Sequence, residues 1–288
     1  MSSSVLENAL LLYGRRFPVR RGKLRLVNLL SKVIASGQST RRLATLKYGG
    51  FKMSCDLGEM LQRQFYYFGT YLVEEEIIDC WQSVAKGART IFDVGANAGI
   101  YSLAALAVQP ESDVHAFEPT PEIASRLRET AQLNALERLH VHEIAVSTRS
   151  GTATLNRYRG ELEANEGMNF ISEAQIAADG EKVQTICLDQ FCSDNSIDRV
   201  DLLKLDVQGH EYAALMGAEQ LICTGRLGTI FMELNWAQRP QADCPATQSI
   251  QFLKQSNYMF SKPGKHLNWQ PAGDWLRCMI DVIARRPL

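Results

Sequence analysis

The segment Asp93-Val94-Gly95-Ala96-Asn97-Ala98-Gly99 constrains the fold more than any other part of this chain. It follows an apolar run, Thr90 to Val94, and leads into a helical pattern from about Gly99 to Val108. Glycines at 95 and 99 allow a sharp turn from strand to helix and leave room for a ligand against the main chain, the geometry of a nucleotide site. Strand and helix then alternate. Asp113 to Phe117, Pro121 to Asn134 and His140 to Ile144 predict strand, helix and strand, with Pro121 in the helix's first turn. Val200 to Leu205, Glu211 to Ile222 and Gly228 to Met232 repeat that order. A helix near Thr247 to Gln255 and strands at Tyr258 to Ser261 and Leu276 to Ala284 complete it. The alternation predicts an α/β fold, a parallel sheet with helices on both faces. Two late strands with no long helix between them predict an antiparallel edge.

Residues 1–60 read as a small appendage and residues 61–288 as the main domain. Val5 to Tyr13 and Leu24 to Ile34 have helical periodicity and are separated by Pro18 and Gly22. Ala44 to Tyr48 and Phe51 to Cys55, joined through Gly49-Gly50, predict a hairpin. Between Glu7 and Asp56 there is no acidic residue, yet Arg15, Arg16, Arg20, Arg21, Lys23, Arg25, Lys32, Arg41, Arg42, Lys47 and Lys52 all occur. With a net charge of −1 for the whole chain, the remainder is acidic. Such an arm suits an anionic acceptor, carrier or membrane surface, or packs on the acidic body of its own or a neighbouring subunit, which would give a homo-oligomer. It lacks interleaved aromatics, so no nucleic-acid partner is expected.

Hydrophobic content of 45% with 22% charged residues excludes a disordered or fibrous chain. No apolar run approaches the roughly 20 residues of a transmembrane helix. Seven cysteines without a C-x-x-C pair predict reduced thiols, Cys187 and Cys192 among them, and the first residues lack a secretory layout, so the expectation is a soluble cytoplasmic protein. The polar stretch Asn156 to Lys182, between strand-like Thr152 to Leu155 and Val183 to Leu188, reads as a substrate-facing loop, and Ala237 to Ala246 as another variable surface.

The turn is Gly-x-Asn-x-Gly, not the Gly-x-Gly-x-x-Gly that cradles a dinucleotide pyrophosphate. Asp93 would repel a pyrophosphate and would welcome an ammonium, as in the methionine part of S-adenosylmethionine. Glu118, closing the second strand, can accept both hydroxyls of a ribose. Asp93, Gly95, Ala96, Asn97, Gly99 and Glu118 are therefore the candidate cofactor residues, and S-adenosylmethionine the candidate cofactor. Methyl transfer needs alignment and, where the acceptor carries a proton, a base. Asp206, His210 and Glu233 are the candidates, at the carboxyl ends of the fourth and fifth strands. His210 at a helix N-terminus would stay neutral, able to accept a proton. Asp206 alternatively holds the sulfonium, or pairs with Lys204 on the same strand face. A divalent cation on Asp206, Glu233 and Asn235 is chemically allowed but not favoured, so no metal is assigned. His140 and His142 share a strand face without a third ligand and read as surface residues. Trp269 and Trp275 suit core packing or stacking on a sugar ring.

These blocks together resemble the FkbM family of methyltransferases. The likeness runs roughly from Phe65 to Asn235 through Asp93 to Gly99, Ala116-Phe-Glu-Pro119, Asn134, Ala145-Val-Ser147, Thr185-x-x-Leu-Asp189, Leu203 to Glu211, Leu215 to Ala218 and Met232 to Asn235. It departs at Gln208, where the family usually has Glu, and at His210, where it has a small residue. The resemblance implies a Rossmann-like seven-stranded methyltransferase sheet, O-methylation of sugar or secondary-metabolite hydroxyls, a small-molecule acceptor, and cofactor contacts at Glu74 and Ala145. Methyl transfer to nitrogen or carboxylate, and a non-catalytic adenosyl-binding scaffold, stay open as alternatives.

Overall fold

The computed structural model describes residues 3–17, 22–35, 40–156, 170–172, 180–234, 244–273, 276 and 281–287. The chain opens with helices α1 (Ser3–Arg16) and α2 (Lys23–Ala35), an antiparallel hairpin of β1 (Arg41–Thr45) and β2 (Lys52–Asp56), and helices α3 (Met60–Phe68) and α4 (Glu75–Ala85). Then follow β3 (Thr90–Val94), α5 (Ile100–Val108), β4 (Asp113–Phe117), α6 (Pro121–Leu133) and β5 (Leu139–His142). Short strands β6 (Ala145–Val146), β7 (Gly151–Asn156), β8 (Phe170–Ser172) and β9 (Glu181–Ile186) precede α7 (Leu188–Asp194). The chain ends with β10 (Val200–Leu205), α8 (Glu211–Met216), α9 (Glu219–Cys223), β11 (Leu227–Glu233), α10 (Pro245–Gln255), β12 (Met259–Ser261) and β13 (Asp281–Arg285).

Seven strands form the main sheet in the order β12-β13-β11-β10-β3-β4-β5. The five from β11 to β5 run parallel, whereas β13 is antiparallel to β11 and β12 to β13, so the predicted antiparallel edge is present. From β3 the chain builds outward through β4 and β5, then returns to lay β10 on the other side of β3. The carboxyl ends of β3 and β10 thus flank the switch point where an open α/β sheet leaves a crevice. Apart from the β1-β2 hairpin, the remaining strands form a four-stranded sheet, β6-β9-β7-β8, beside that crevice.

Both faces of the sheet are covered, so β3 and β10 are almost wholly buried and mostly apolar, with Asp93 and Lys204 among their buried residues. One core, with Trp81, Ile91, Leu103 and Ile283, also takes in Leu10 of α1, Val27 of α2 and Ala44 of β1. The other gathers Phe92, Phe117, Phe191, Leu203 and Phe260. Several basic residues of the first segment are used inside the molecule. Arg15 donates to the carbonyls of Thr45 (2.6 Å) and Tyr66 (2.7 Å), Arg42 pairs with Glu7 at 2.7 Å and Lys47 with Glu75 at 2.9 Å.

Four expectations need correction. The helix expected from Glu211 to Ile222 is two, because Asp189 accepts from the N–H groups of Gln220 and Leu221 and so caps a new helix after Gly217. Leu188 begins α7 instead of closing a strand. Leu276 lies outside β13, while 277–280 and Trp275 fall outside the described residues. His142 is not a surface residue: it stacks on His115 and packs against Phe191, and burial first, then neighbouring His140, pushes its pKa down to about 4. Trp269 is covered by the Arg285 guanidinium, 4.0 Å from its ring.

Trp81 ties α4 to the layer beneath the crevice. It is fully buried, donates to the Tyr101 carbonyl at 2.9 Å and meets the Tyr101 and Phe231 rings edge-on. Trp81→Ala is expected to lower unfolding stability by about 3–5 kcal/mol, measured by denaturant titration; a loss under about 1 kcal/mol would contradict this packing role.

Candidate active site

A cavity of about 290 Å³ opens at the carboxyl ends of β3, β10 and β11. One wall is the turn from Gly95 to Ala98 with Ile100 and Tyr101, and the floor carries Asp206, Gln208 and Glu233. The opposite wall comes from Met60, Leu61 and Phe65 of α3 and from Tyr71 and Glu74 ahead of α4. A smaller cavity of about 50 Å³ shares Gly95, Asn97, Asp206 and Gln208 with it and continues to Glu118, Thr120, Ala145 and Leu155. One elongated crevice therefore crosses the switch point, acidic at one end and mostly apolar at the other.

Close backbone approach shapes its middle. Gly95 has φ of +81°, and a Cβ there would fall 1.8 Å from the Asp206 carbonyl oxygen, so only glycine lets the β3 turn sit against the end of β10. Gly99, at φ +79°, starts α5 and abuts Leu127; it shapes the turn but lines neither cavity. Glu118 organises the turn as well, accepting from Asn97 N–H at 2.9 Å and Thr120 N–H at 2.9 Å. Asn97 itself sits at φ 49°.

At the acidic end Lys204 is 2% exposed, with Nζ 3.5 Å from Asp206 Oδ2 and 4.7 Å from the centre of the Tyr101 ring. Burial alone would strip its proton, but Asp206, Glu74, Glu233 and Asp281 outweigh burial and raise its pKa. Those carboxylates outnumber it. Burial, then repulsion from Asp206, pushes Glu233 up to about 8 despite the Lys204 ammonium. Glu74 is raised, chiefly by burial, although Tyr101 Oη donates to it at 2.7 Å; Asp281 is raised by burial too. Gln208 Nε2 donates to Asp206 Oδ1 at 2.9 Å and fixes that carboxylate.

Besides Gly99, two sequence candidates stand elsewhere. Asp93 is 1% exposed and points beneath the turn, where its Oδ2 accepts from Ser102 N–H (3.0 Å) and Oγ–H (2.6 Å); it anchors α5 and does not line the crevice. His210 also lines neither cavity, because its Nε2 lies 3.0 Å from Ser147 Oγ. Asn235 lies outside the described residues, as do 157–169, 173–179 and 236–243. Among the described residues no group of three or more His, Cys, Asp or Glu is arranged to hold a metal ion. Sequence reasoning missed Asp281 and the α3 wall. The former becomes visible only through its register opposite Glu233, the latter because α3 buries polar Gln62, Arg63 and Gln64 along with its aromatics.

Residues 93–260, more than half of the chain, match the model of the methyltransferase FkbM domain. The chain belongs to the FkbM methyltransferase family. Within the curated relatives it is similar to 2-O-methyltransferase NoeI of Sinorhizobium fredii, 31% identical over 47% of this chain and 60% of NoeI. It is likewise similar to 31-O-demethyl-FK506 methyltransferase FkbM of Streptomyces tacrolimicus, 31% identical over 45% and 59% of the two chains. Hexuronic acid methyltransferase AglP of Haloferax volcanii is 26% identical over 50% and 56%. The chain thus spans somewhat under two thirds of these relatives' length. The FkbM match starts at Asp93, so the wall formed by α3, Tyr71 and Glu74 lies outside it.

The FkbM site predicts a pH-dependent stability. With Glu233 raised from 4.5 to about 8, the folded chain holds a proton that the unfolded chain has lost, so this group's contribution falls as pH rises through that window. Glu233→Gln, which does not titrate, is expected to gain melting temperature relative to the parent as pH rises from 5 to 8; a constant difference contradicts the assignment.

Proposed function

We propose that this chain transfers a methyl group from S-adenosylmethionine to a hydroxyl of a sugar or secondary metabolite. The observation that carries the reading is the single crevice, with Glu118 beside an apolar compartment at one end and the Lys204 carboxylate cluster at the other. The residues fit such a ligand. An adenosyl group suits the compartment of Phe117, Ile144, Ala145 and Leu155, whose wall also holds the buried Thr120 Oγ1, a hydroxyl left without a hydrogen-bond partner. Excess carboxylate at the other end suits a sulfonium and an ammonium. When bound, the cofactor supplies a methyl group on positively charged sulfur, which a nearby oxygen can take by in-line displacement.

The chain's own residues supply alignment and proton removal. Glu118 and the Gly95 to Asn97 turn hold the ribose side, as the acid at the end of the second strand does in dinucleotide sites. Asp206, fixed by Gln208 and Lys204, faces the shared middle of the crevice and orients the reacting groups. Glu233 on the floor takes the acceptor's proton; a base whose pKa lies near working pH combines availability with driving force. His210 is not used in this role, since its ring is turned to Ser147. The names of NoeI and FkbM specify O-methylation and that of AglP a hexuronic acid, which supports an oxygen acceptor on a polyhydroxyl compound.

Incubation with methyl-labelled S-adenosylmethionine and pooled sugars and hydroxylated metabolites tests the reading, with mass spectrometry of the products. A methylated oxygen product is expected. Glu233→Gln should lower kcat about 10²–10⁴-fold and remove the rising limb of the pH–rate profile, and Glu118→Ala should weaken cofactor binding more than it lowers kcat. Cofactor binding without transfer to any pool would sink the enzyme reading. An unchanged pH profile in Glu233→Gln would remove Glu233 as the base.

A further inference from the structure

Eight large apolar side chains stand exposed among the described residues, and six lie before residue 46: Val5, Leu12, Phe17, Leu26, Leu29 and Leu43. Such a concentration away from the crevice marks a contact surface. On α1 the solvent-facing row runs Val5, Ala9, Leu12 and Arg16, and on α2 the exposed residues include Arg25, Leu26 and Leu29. The opposite faces of the same helices bury Leu10 and Val27 in the core, so both helices are held in place while presenting apolar side chains outward. The exposed charge on these two helices has one sign. No acidic residue occurs between Glu7 and Asp56, and Glu7 is buried, bonded to Arg42 and Tyr66.

We infer that α1 and α2 form a docking surface for a bilayer that carries anionic lipid. Apolar side chains rimmed by arginine match the layered chemistry of such a bilayer, with negative headgroups over hydrocarbon. A two-fold contact between copies through the same face would bring two basic patches together. Both helices pack on α3, and α3 supplies Met60, Leu61 and Phe65 to the crevice wall, so the docked face lies one helix away from the site. The inference does not depend on the methyl-transfer reading.

Co-sedimentation of the full chain with vesicles tests it, using phosphatidylcholine alone and phosphatidylcholine with one third phosphatidylglycerol. The chain is expected to sediment with the anionic vesicles, to remain in solution with the neutral ones, and to be released by salt. Leu26→Ser with Leu29→Ser, and separately Arg16→Glu with Arg25→Glu, should each cut the bound fraction about tenfold or more. All four side chains are exposed, and circular dichroism should show both variants folded. Failure to sediment with anionic vesicles, equal sedimentation with neutral ones, or undiminished binding by the two variants overturns the proposal. So does light scattering that finds a dimer in the parent and a monomer in the leucine variant, which would give the face to a second copy.

Discussion

A buried ammonium in the middle strand of the sheet organises the acidic half of the crevice. Lys204 sits on β10 between β3 and β11, nearly sealed from water, where a lone charge would be lost. It stays charged because carboxylates converge on it from four distant parts of the chain: Glu74 ahead of α4, Asp206 after β10, Glu233 at the end of β11 and Asp281 at the start of β13. Breaking such a buried arrangement from one side leaves uncompensated charge, which is far more costly than the pair is stabilising. The cluster thus couples the sheet's antiparallel edge to the helices that roof it.

That arrangement carries more negative charge than Lys204 can balance. Burial, then repulsion from Asp206, raises Glu233 to about 8, and burial raises Glu74 and Asp281 as well. A site in this condition favours any ligand that brings positive charge, because the ligand replaces protons and takes over their neutralising role. The Gly95 turn and Glu118 stand between this cluster and the mostly apolar compartment. The α3 and Tyr71–Glu74 wall on the other side of the crevice is built by residues outside the FkbM-matched segment.

The sheet was readable because its strands obey the buried-parallel pattern: β3, β4 and β10 stand where their apolar runs placed them. Gly95 and Glu118 were readable because a strand-to-helix turn dictates where such residues fall. Asp93 was not, since a carboxylate next to a glycine turn reads the same whether it faces the ligand or the helix, and only the fold turns it toward Ser102. His210 shows the same ambiguity, resolved by Ser147, 63 residues earlier in the chain. Asp281 could not be found from spacing because its place depends on an antiparallel register opposite Glu233. Helix α3 escaped notice because nearly its whole circumference is buried, which erases the polar stripe that marks a surface helix.

Proton release on cofactor binding tests the central claim most directly. Isothermal titration of S-adenosylmethionine into the chain at neutral pH, in two buffers of different ionisation enthalpy, reports how many protons leave. The account predicts a net release that grows smaller as pH rises past about 8 and is largely lost in Glu233→Gln. Equal heats in the two buffers, or a release unchanged in that variant, would contradict a proton held on Glu233 until a cation arrives.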